Sequence, residues 1–348
     1  MIKYLGSKRL IVDRIVRAVN AIPGTRSVLD LFSGTARVGH ALKRAGYRVL
    51  ANDHNEYARV LATCYVAADR EKVLAPATRL VREFNRLRGK PGWFTETFCV
   101  NSRFFQPKNG ARVDAIRDAI RGKGLEPELE AVLLTSLMEA ADRVDSTTGV
   151  QMAYLKRWAP RALGDLELRV PDFLPRARAG KGEAHGLDAF EAAARLEADV
   201  AYLDPPYNQH SYLGNYHVWE SLARWDRPEV YGIARKRLDV RSRQSVFNSR
   251  PRFRAAFSRL VRAVRARTLI VSFSDEGYLD RAAMEEVLGL RPAVGVVAMD
   301  FKRYVGAQIG IYNPQGVKVG KAGRLRNREF LFIAGARRVV DRAMAALS

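Results

Sequence analysis

Apolar and polar positions follow two rhythms along this chain. Short apolar runs bounded by turn formers predict buried strands, and longer stretches with apolar residues three and four apart predict helices. The run "SVLDLF" (27–32) ends in an acid and an aromatic, and "SGTARVGHALKRAG" follows it, small residues giving way to helical periodicity that stops at Gly46. That order predicts strand, tight turn and helix. A second run, "YRVLAND" (47–53), ends in Asp53, so the chain opens on a βαβ unit and calls for a parallel sheet. Sheet-type runs return as "ADVAYLD" (198–204), "ARTLIVSFS" (266–274), "AVGVVAM" (293–299) and "REFLFIAG" (328–335). Between Tyr65 and about Gly186 the pattern is helical instead. There "NGARVDAIRDAIRGKG" offers Asn109 as an N-cap and Gly122 as a stop, and "EPELEAVLLTSLMEAADRV" places Pro127 in a first turn. The architecture predicted is an α/β sheet domain of residues 1–64 and 187–348, interrupted by a mainly helical insertion over 65–186.

Charge adds a partner to this picture. Among 348 residues, 59 Lys and Arg stand against 37 Asp and Glu, a formal net charge of +22, which points to a polyanion such as nucleic acid. Basic residues mix with aromatics and turn formers in "RVDSTTG", "QMAYLKRWAPRAL" and "VPDFLPRARAGKGE" of the insertion. They do so again in "FKRYVGAQIGIYNPQGVKVGKAGRLRNRE" (301–329), with a turn expected at "NPQG". Each segment reads either as DNA-facing or as an ordinary solvated loop. Cys64 and Cys99 have no metal-ligand spacing and the five histidines form no cluster, so no metal is expected. The start "MIKYLGSKRL" is charged too early for a signal peptide, and no apolar run approaches the ~20 residues of a membrane span. A cytoplasmic, nucleoid-associated protein is the expectation.

The first turn carries candidate chemistry. In "DLFSGTARVG", Gly34 and Gly39 let the backbone leave the strand sharply and approach a ligand at the helix start. A G-x-G-x-x-G fingerprint is missing, which disfavours a dinucleotide, and no G-x-x-x-x-G-K-[ST] loop follows. Asp53, 19 positions past Gly34 at the tip of the next strand, suits the two hydroxyls of a ribose, with a helix cap as the plainer reading. Asp30, Gly34 and Asp53 are thereby placed for one ligand, and Phe32 is counted with them as a cofactor contact.

The stretch "AYLDPPYNQHSYLGNYH" (201–217) puts Asp204 just after a strand, on a turn stiffened by Pro205 and Pro206. An adenine amino group is a poor nucleophile, because its lone pair is conjugated with the ring. The Asp204 carboxylate and the Pro205 carbonyl can accept its two N–H groups and draw the nitrogen toward tetrahedral geometry, with the lone pair aimed at an electrophilic methyl. Tyr207 can stack on the base, an interaction worth about 1–3 kcal/mol. An adenine in a duplex would have to be flipped out to reach such a turn. Positioning and electrostatics would supply the rate without a covalent intermediate.

These motifs resemble the alpha group of N6-adenine DNA methyltransferases, the DNA adenine methylase family, over most of the chain. "KYLGSK" is similar to its first cofactor motif, "DLFSGTARVG" to its glycine motif, Asp53 to its ribose acid and "DPPY" to its catalytic motif, in the alpha-group order. The resemblance implies a Rossmann-like class I methyltransferase sheet, mostly parallel with an antiparallel last strand, and a target-recognition role for the insertion. It implies S-adenosylmethionine as cofactor, with Tyr4 and Lys8 contacting it, Lys8 or its neighbours reaching the methionine carboxylate, and Asp188 in "HGLDAF" binding its adenine or capping a helix. Ala36 departs from the pattern, standing where many relatives have a second glycine. "NQHSYLGNYHVWE" resembles one branch of the family, in which Tyr212, Asn215, Tyr216 and His217 line the base pocket or touch the flipped strand. Core packing is an equal reading for His217 and Trp219. Implied partners are double-stranded DNA acted on by a monomer and, for a restriction-modification enzyme as against a solitary one, a cognate endonuclease.

Rivals share the chemistry. Ribosomal RNA adenine methyltransferases also carry a D-P-P-Y turn, whereas protein glutamine methyltransferases begin it with asparagine, against which Asp204 argues. Cytosine ring-carbon methylation needs a Pro-Cys nucleophile, and Cys64 and Cys99 follow Thr and Phe. A noncatalytic DNA-binding protein on a decayed methyltransferase fold would have little use for Asp30, Asp53 and Asp204 together.

Overall fold

Each expected apolar run becomes a strand of one seven-stranded sheet in the computed structural model, which describes residues 1–6, 8–302, 311–312, 318–320 and 326–348. The strands are β1 (Ser27–Asp30), β2 (Arg48–Asn52), β3 (Glu183–His185), β4 (Glu197–Leu203), β5 (Arg265–Ser274), β6 (Ala293–Lys302) and β7 (Arg326–Gly335). Their order is β3-β2-β1-β4-β5-β7-β6. Pairing is parallel from β3 to β5, while β7 runs antiparallel between β5 and β6. This is the Rossmann-like methyltransferase sheet with its antiparallel last strand.

Helices of seven or more residues, among those described, are α1 (Val12–Asn20), α2 (Arg37–Arg44), α3 (Glu56–Ala62), α4 (Arg70–Asn85), α5 (Pro107–Gly122), α6 (Pro127–Arg143), α7 (Ala189–Arg195), α8 (His217–Arg224), α9 (Arg250–Ala263), α10 (Arg281–Leu288) and α11 (Arg337–Leu347). Both faces of the sheet are covered, and for that reason its strands read as unbroken apolar runs rather than alternating ones. Val28, Val200 and Tyr202 point into one core with Ile15 of α1, Leu42 of α2 and Val340 of α11. Leu29, Ala201 and Leu203 point into the other with Ala192 of α7, Phe257 of α9 and Leu288 of α10. The helices of the 65–186 span share the first core through Leu80, Ile116 and Leu137.

Local details differ from the sequence reading. Asn109 is not an N-cap: α5 begins at Pro107, whose fixed φ and missing N–H suit the first helical position, with Gln106 as the flanking residue. Asn109 is buried, and its amide instead clamps a passing loop, donating to the Gly164 carbonyl and accepting from Leu166 N, both at 2.9 Å. Pro127 does open α6. β3 lies within the span read as helical and adds a parallel edge to β2. The turn expected at "NPQG", and most of the basic stretch 301–329, lie outside the described residues. No described helix is long and apolar enough to cross a membrane.

Candidate active site

Around β1 the chain order reverses, with β2 on one side and β4 on the other, and in open α/β sheets ligands bind at the carboxyl ends of strands beside such a switch. A cavity of about 540 Å³ opens there. Tyr4, Lys8, Asp30, Phe32, Gly34, Asp53 and Asp188, the seven residues read as cofactor contacts, line it together with Asp204 and Pro206. Pro205 is buried and does not line the cavity. Tyr207 also stands off its wall, packed against Phe273 at 5.2 Å.

The turn after β1 is built by carboxylates. Asp30 Oδ2 accepts from Gly39 N (3.1 Å) and Asp53 Oδ2 from Gly34 N (3.0 Å), while Asp53 Oδ1 accepts from Asn55 N (2.9 Å). Gly34 sits at φ 50°, and a Cβ there would meet the Tyr4 ring at 3.2 Å. Ala36 takes the left-handed conformation too, at φ 58°, a conformation that glycine adopts without strain. For a residue with a side chain that conformation costs roughly 1–2 kcal/mol. Burial, then the nearby charge of Asp204, pushes the Asp30 carboxyl up to about 7. Its Oδ1 is buried and has no hydrogen-bond partner among the described residues, and the same holds for Ser33 Oγ. Such orphaned polar atoms call for a partner supplied from outside the protein.

Farther along the cavity, three rings meet: Phe247 packs edge-on to Phe32 (5.5 Å) and stacks with Phe190 (5.7 Å). Asp188 caps α7, accepting from Phe190 N at 2.9 Å, and still lines the cavity.

At the other end stands Asp204. Its Oδ1 accepts from Ser272 Oγ (3.0 Å) and pairs with Lys8 Nζ (3.1 Å), which also holds Glu329 (2.6 Å). Tyr202 shares a hydrogen bond with Ser272 at 2.8 Å. No described group donates to Asp204 Oδ2. Burial raises the Asp204 carboxyl to about 6, outweighing the pull of Lys8 and assisted by Glu329. Burial also pulls the Lys8 ammonium down, but Asp204 and Glu329 overcome it and hold it well above the ordinary lysine value.

The segment after the turn divides. Tyr212 lines the cavity and stacks on Tyr4 at 5.3 Å; Tyr216 stacks on the same ring at 4.6 Å, and its hydroxyl accepts from Leu5 N at 2.5 Å. Asn215, His217 and Trp219 are core residues. His217 lies between Phe98 and Phe104 and shares a hydrogen bond with the Gln151 carbonyl at 2.9 Å; burial takes its imidazole down to about 3, so it stays neutral. Sequence reasoning missed Tyr202, Ser272, Glu329, Phe190 and Phe247. For Glu329 a signal existed: a lone acid opens an otherwise apolar strand, "REFLFIAG".

A family model described as D12 class N6 adenine-specific DNA methyltransferase matches residues 4–270. The type II methyltransferase M.FokI of Planomicrobium okeanokoites is 30% identical over 323 residues, which cover 87% of this chain and 49% of that protein. Modification methylase StsI of Streptococcus sanguinis is 29% identical over 313 residues, 85% of this chain and 47% of that one. The type II methyltransferase M.NlaIII of Neisseria lactamica is 26% identical over 313 residues, 86% and 92% of the two chains. The chain thus spans about half the length of the first two relatives and nearly all of the third.

Proposed function

Since this chain belongs to the D12 class N6 adenine-specific DNA methyltransferase family, we propose that it transfers a methyl group from S-adenosylmethionine to the exocyclic N6 of adenine at specific sites in double-stranded DNA. The observation that carries this reading is the Asp204 carboxylate at the cavity wall, with Oδ1 fixed by Ser272 and Lys8 and Oδ2 without a donor among the described residues.

S-adenosylmethionine, when bound, supplies an electrophilic sulfonium methyl. Its fit to the cavity rests on the orphaned Asp30 Oδ1 and Ser33 Oγ, which suit a ligand rich in donors, and on the Phe32–Phe190–Phe247 rings, which suit a flat base with Asp188 beside them. Asp53 would hold the ribose hydroxyls. Asp204 Oδ2 and the Pro205 carbonyl would accept the two N–H groups of a flipped adenine and orient its nitrogen, with Tyr207 beside the base. Fixed acceptors of this kind act without reorganising during the reaction. The target-recognition region is assigned to the 65–186 span, and the names of the relatives support a restriction-modification role with a cognate endonuclease.

Tritiated methyl transfer into unmethylated phage DNA, with ribosomal RNA as the competing substrate, tests the reading: DNA is labelled, and Asp204→Ala abolishes the label. Labelling of RNA alone would overturn it.

Two further results are expected. Asp204 must be ionised to accept, and its carboxyl lies at about 6, so the single-turnover rate climbs about tenfold per pH unit below 6 and levels off above it. Asp53→Ala raises the KM for S-adenosylmethionine about tenfold or more while kcat changes little, because a ribose contact is made equally in ground and transition states. A fall in kcat at unchanged KM would contradict that role.

A further inference from the structure

One buried hydroxyl interrupts the apolar run of β5. Ser272, in "TLIVSFS", is fully buried between Val271 and Phe273, which are buried too. A hydroxyl taken out of water without a partner is destabilising, so its place there requires a compensating bond. Register supplies two. β4 and β5 run parallel with Tyr202 beside Ile270 and Leu203 beside Val271, and one further step along the ladder brings Asp204 level with Ser272. Side chains two positions apart share a face of a sheet. Tyr202, Ser272 and Asp204 accordingly meet on one side: Tyr202 Oη lies 2.8 Å from Ser272 Oγ, and Ser272 Oγ lies 3.0 Å from Asp204 Oδ1.

The direction of this chain follows from what each oxygen can do. A serine hydroxyl has one proton and two lone pairs, and an ionised carboxylate only accepts. Ser272 therefore donates to Asp204, and Tyr202 donates to Ser272. Left alone, the serine hydroxyl can rotate away toward another acceptor. With the Tyr202 proton on its lone pair, its own proton stays aimed at Oδ1. Lys8 pairs with the same oxygen, but an ammonium acts as a point charge, whereas a hydroxyl donor has a preferred direction. Tyr202 is 1% exposed, and among the described residues Ser272 is the hydrogen-bond partner of its hydroxyl.

We propose that Tyr202 is a positioning residue for methyl transfer and acts through Ser272: the two hydroxyls, in series, lock the Asp204 carboxylate in the orientation that presents Oδ2 to the adenine amino group. The proposal rests on the DNA-methylating reading above.

The test compares full-length Ser272→Ala, Tyr202→Phe and the double variant with wild type. Each substitution removes a single oxygen, so the fold is kept. In single-turnover transfer to phage DNA at pH 8, Ser272→Ala is slower by about 10–100-fold, the loss expected for a hydrogen bond to a charged group. Its affinity for S-adenosylmethionine stays within about twofold of wild type, because the lost contact serves the amine and not the cofactor. Tyr202→Phe is slower by about three- to tenfold. Added to Ser272→Ala, it slows transfer by less than about twofold more, since the relay is already broken. A second readout needs neither DNA nor cofactor: carbon-13 NMR of labelled aspartate carboxyls, with the Asp204 signal identified by its loss in Asp204→Asn. Removing a donor from the charged form raises a carboxyl, so in Ser272→Ala the Asp204 midpoint moves upward from about 6, with Lys8, Glu329 and Asp30, the charged groups around it, unchanged. A Ser272→Ala enzyme as fast as wild type, an unmoved midpoint, or single losses that multiply in the double variant would overturn the relay. A wild type that methylates no DNA overturns the underlying reading instead, and the NMR titration still decides whether Ser272 holds Asp204.

Discussion

Asp204→Asn lowers the rate of methyl transfer to DNA by about 10²–10³-fold, the loss typical of removing one preorganised electrostatic contact, while S-adenosylmethionine binding stays within a few-fold of wild type. The geometry dictates the split. Asp204 is the first residue past β4, and Oδ1 is engaged with Ser272 and Lys8, so a substrate amine meets Oδ2. Asparagine keeps the shape but offers a neutral amide, with less charge to draw the amine nitrogen toward the methyl. The cavity wall formed by Asp30, Asp53 and the phenylalanines is untouched. Single-turnover kinetics and calorimetric cofactor titration separate the two quantities, and a variant that binds cofactor poorly but transfers at the normal rate would assign Asp204 to the wrong ligand.

Lys8→Met produces the second large effect, and it is visible in two readouts. Lys8 is 8% exposed and bridges Asp204 and Glu329, themselves largely buried. Without the ammonium, two carboxylates face one another in a dry site, and breaking a buried pair of this kind costs about 3–5 kcal/mol. Like charge raises carboxyl pKa values, so the pH at which the transfer rate levels off moves upward from about 6 by a unit or more, and at pH 7 the rate falls correspondingly. The stability loss is largest at pH 8 and shrinks on acidification: raised carboxyls destabilise the folded state only once the pH passes above their unfolded values. A residue that served only to bind the methionine carboxylate would leave the pH midpoint unmoved. A shift of that midpoint would mark Lys8 as a positioning residue for Asp204.

How much of this was legible in the sequence follows from the range of the interactions. The strand, turn and helix from Ser27 to Arg44 are local, and the acids Asp30, Asp53 and Asp204 stand at strand ends, where a sheet's ligands gather, so periodicity and turn residues located all three. The Lys8–Glu329 pair joins residues 321 positions apart, and Ser272 reaches Asp204 from 68 positions away on a neighbouring strand; nothing local announces either. β3 has three residues and follows a largely irregular segment after α6, and it falls below the length at which a two-residue rhythm can be read. Asn109 misled because an asparagine near a helix start usually caps it, whereas here Pro107 two residues earlier had already fixed the first turn. For His217 and Trp219 core packing was already an equal reading, and α8 turns both into the core, where Phe98, Phe104 and Phe105 receive them.

The central claim is that Asp204 and Pro205 activate the amino group of adenine in DNA. Mass spectrometry of nucleosides from digested phage DNA, after incubation with the protein and S-adenosylmethionine, reads this directly. The account predicts N6-methyl-2′-deoxyadenosine as the one methylated nucleoside formed, at an initial rate that falls about 10²–10³-fold with Asp204→Asn; N4-methyl-2′-deoxycytidine in its place, or a rate that the substitution leaves unchanged, would contradict it.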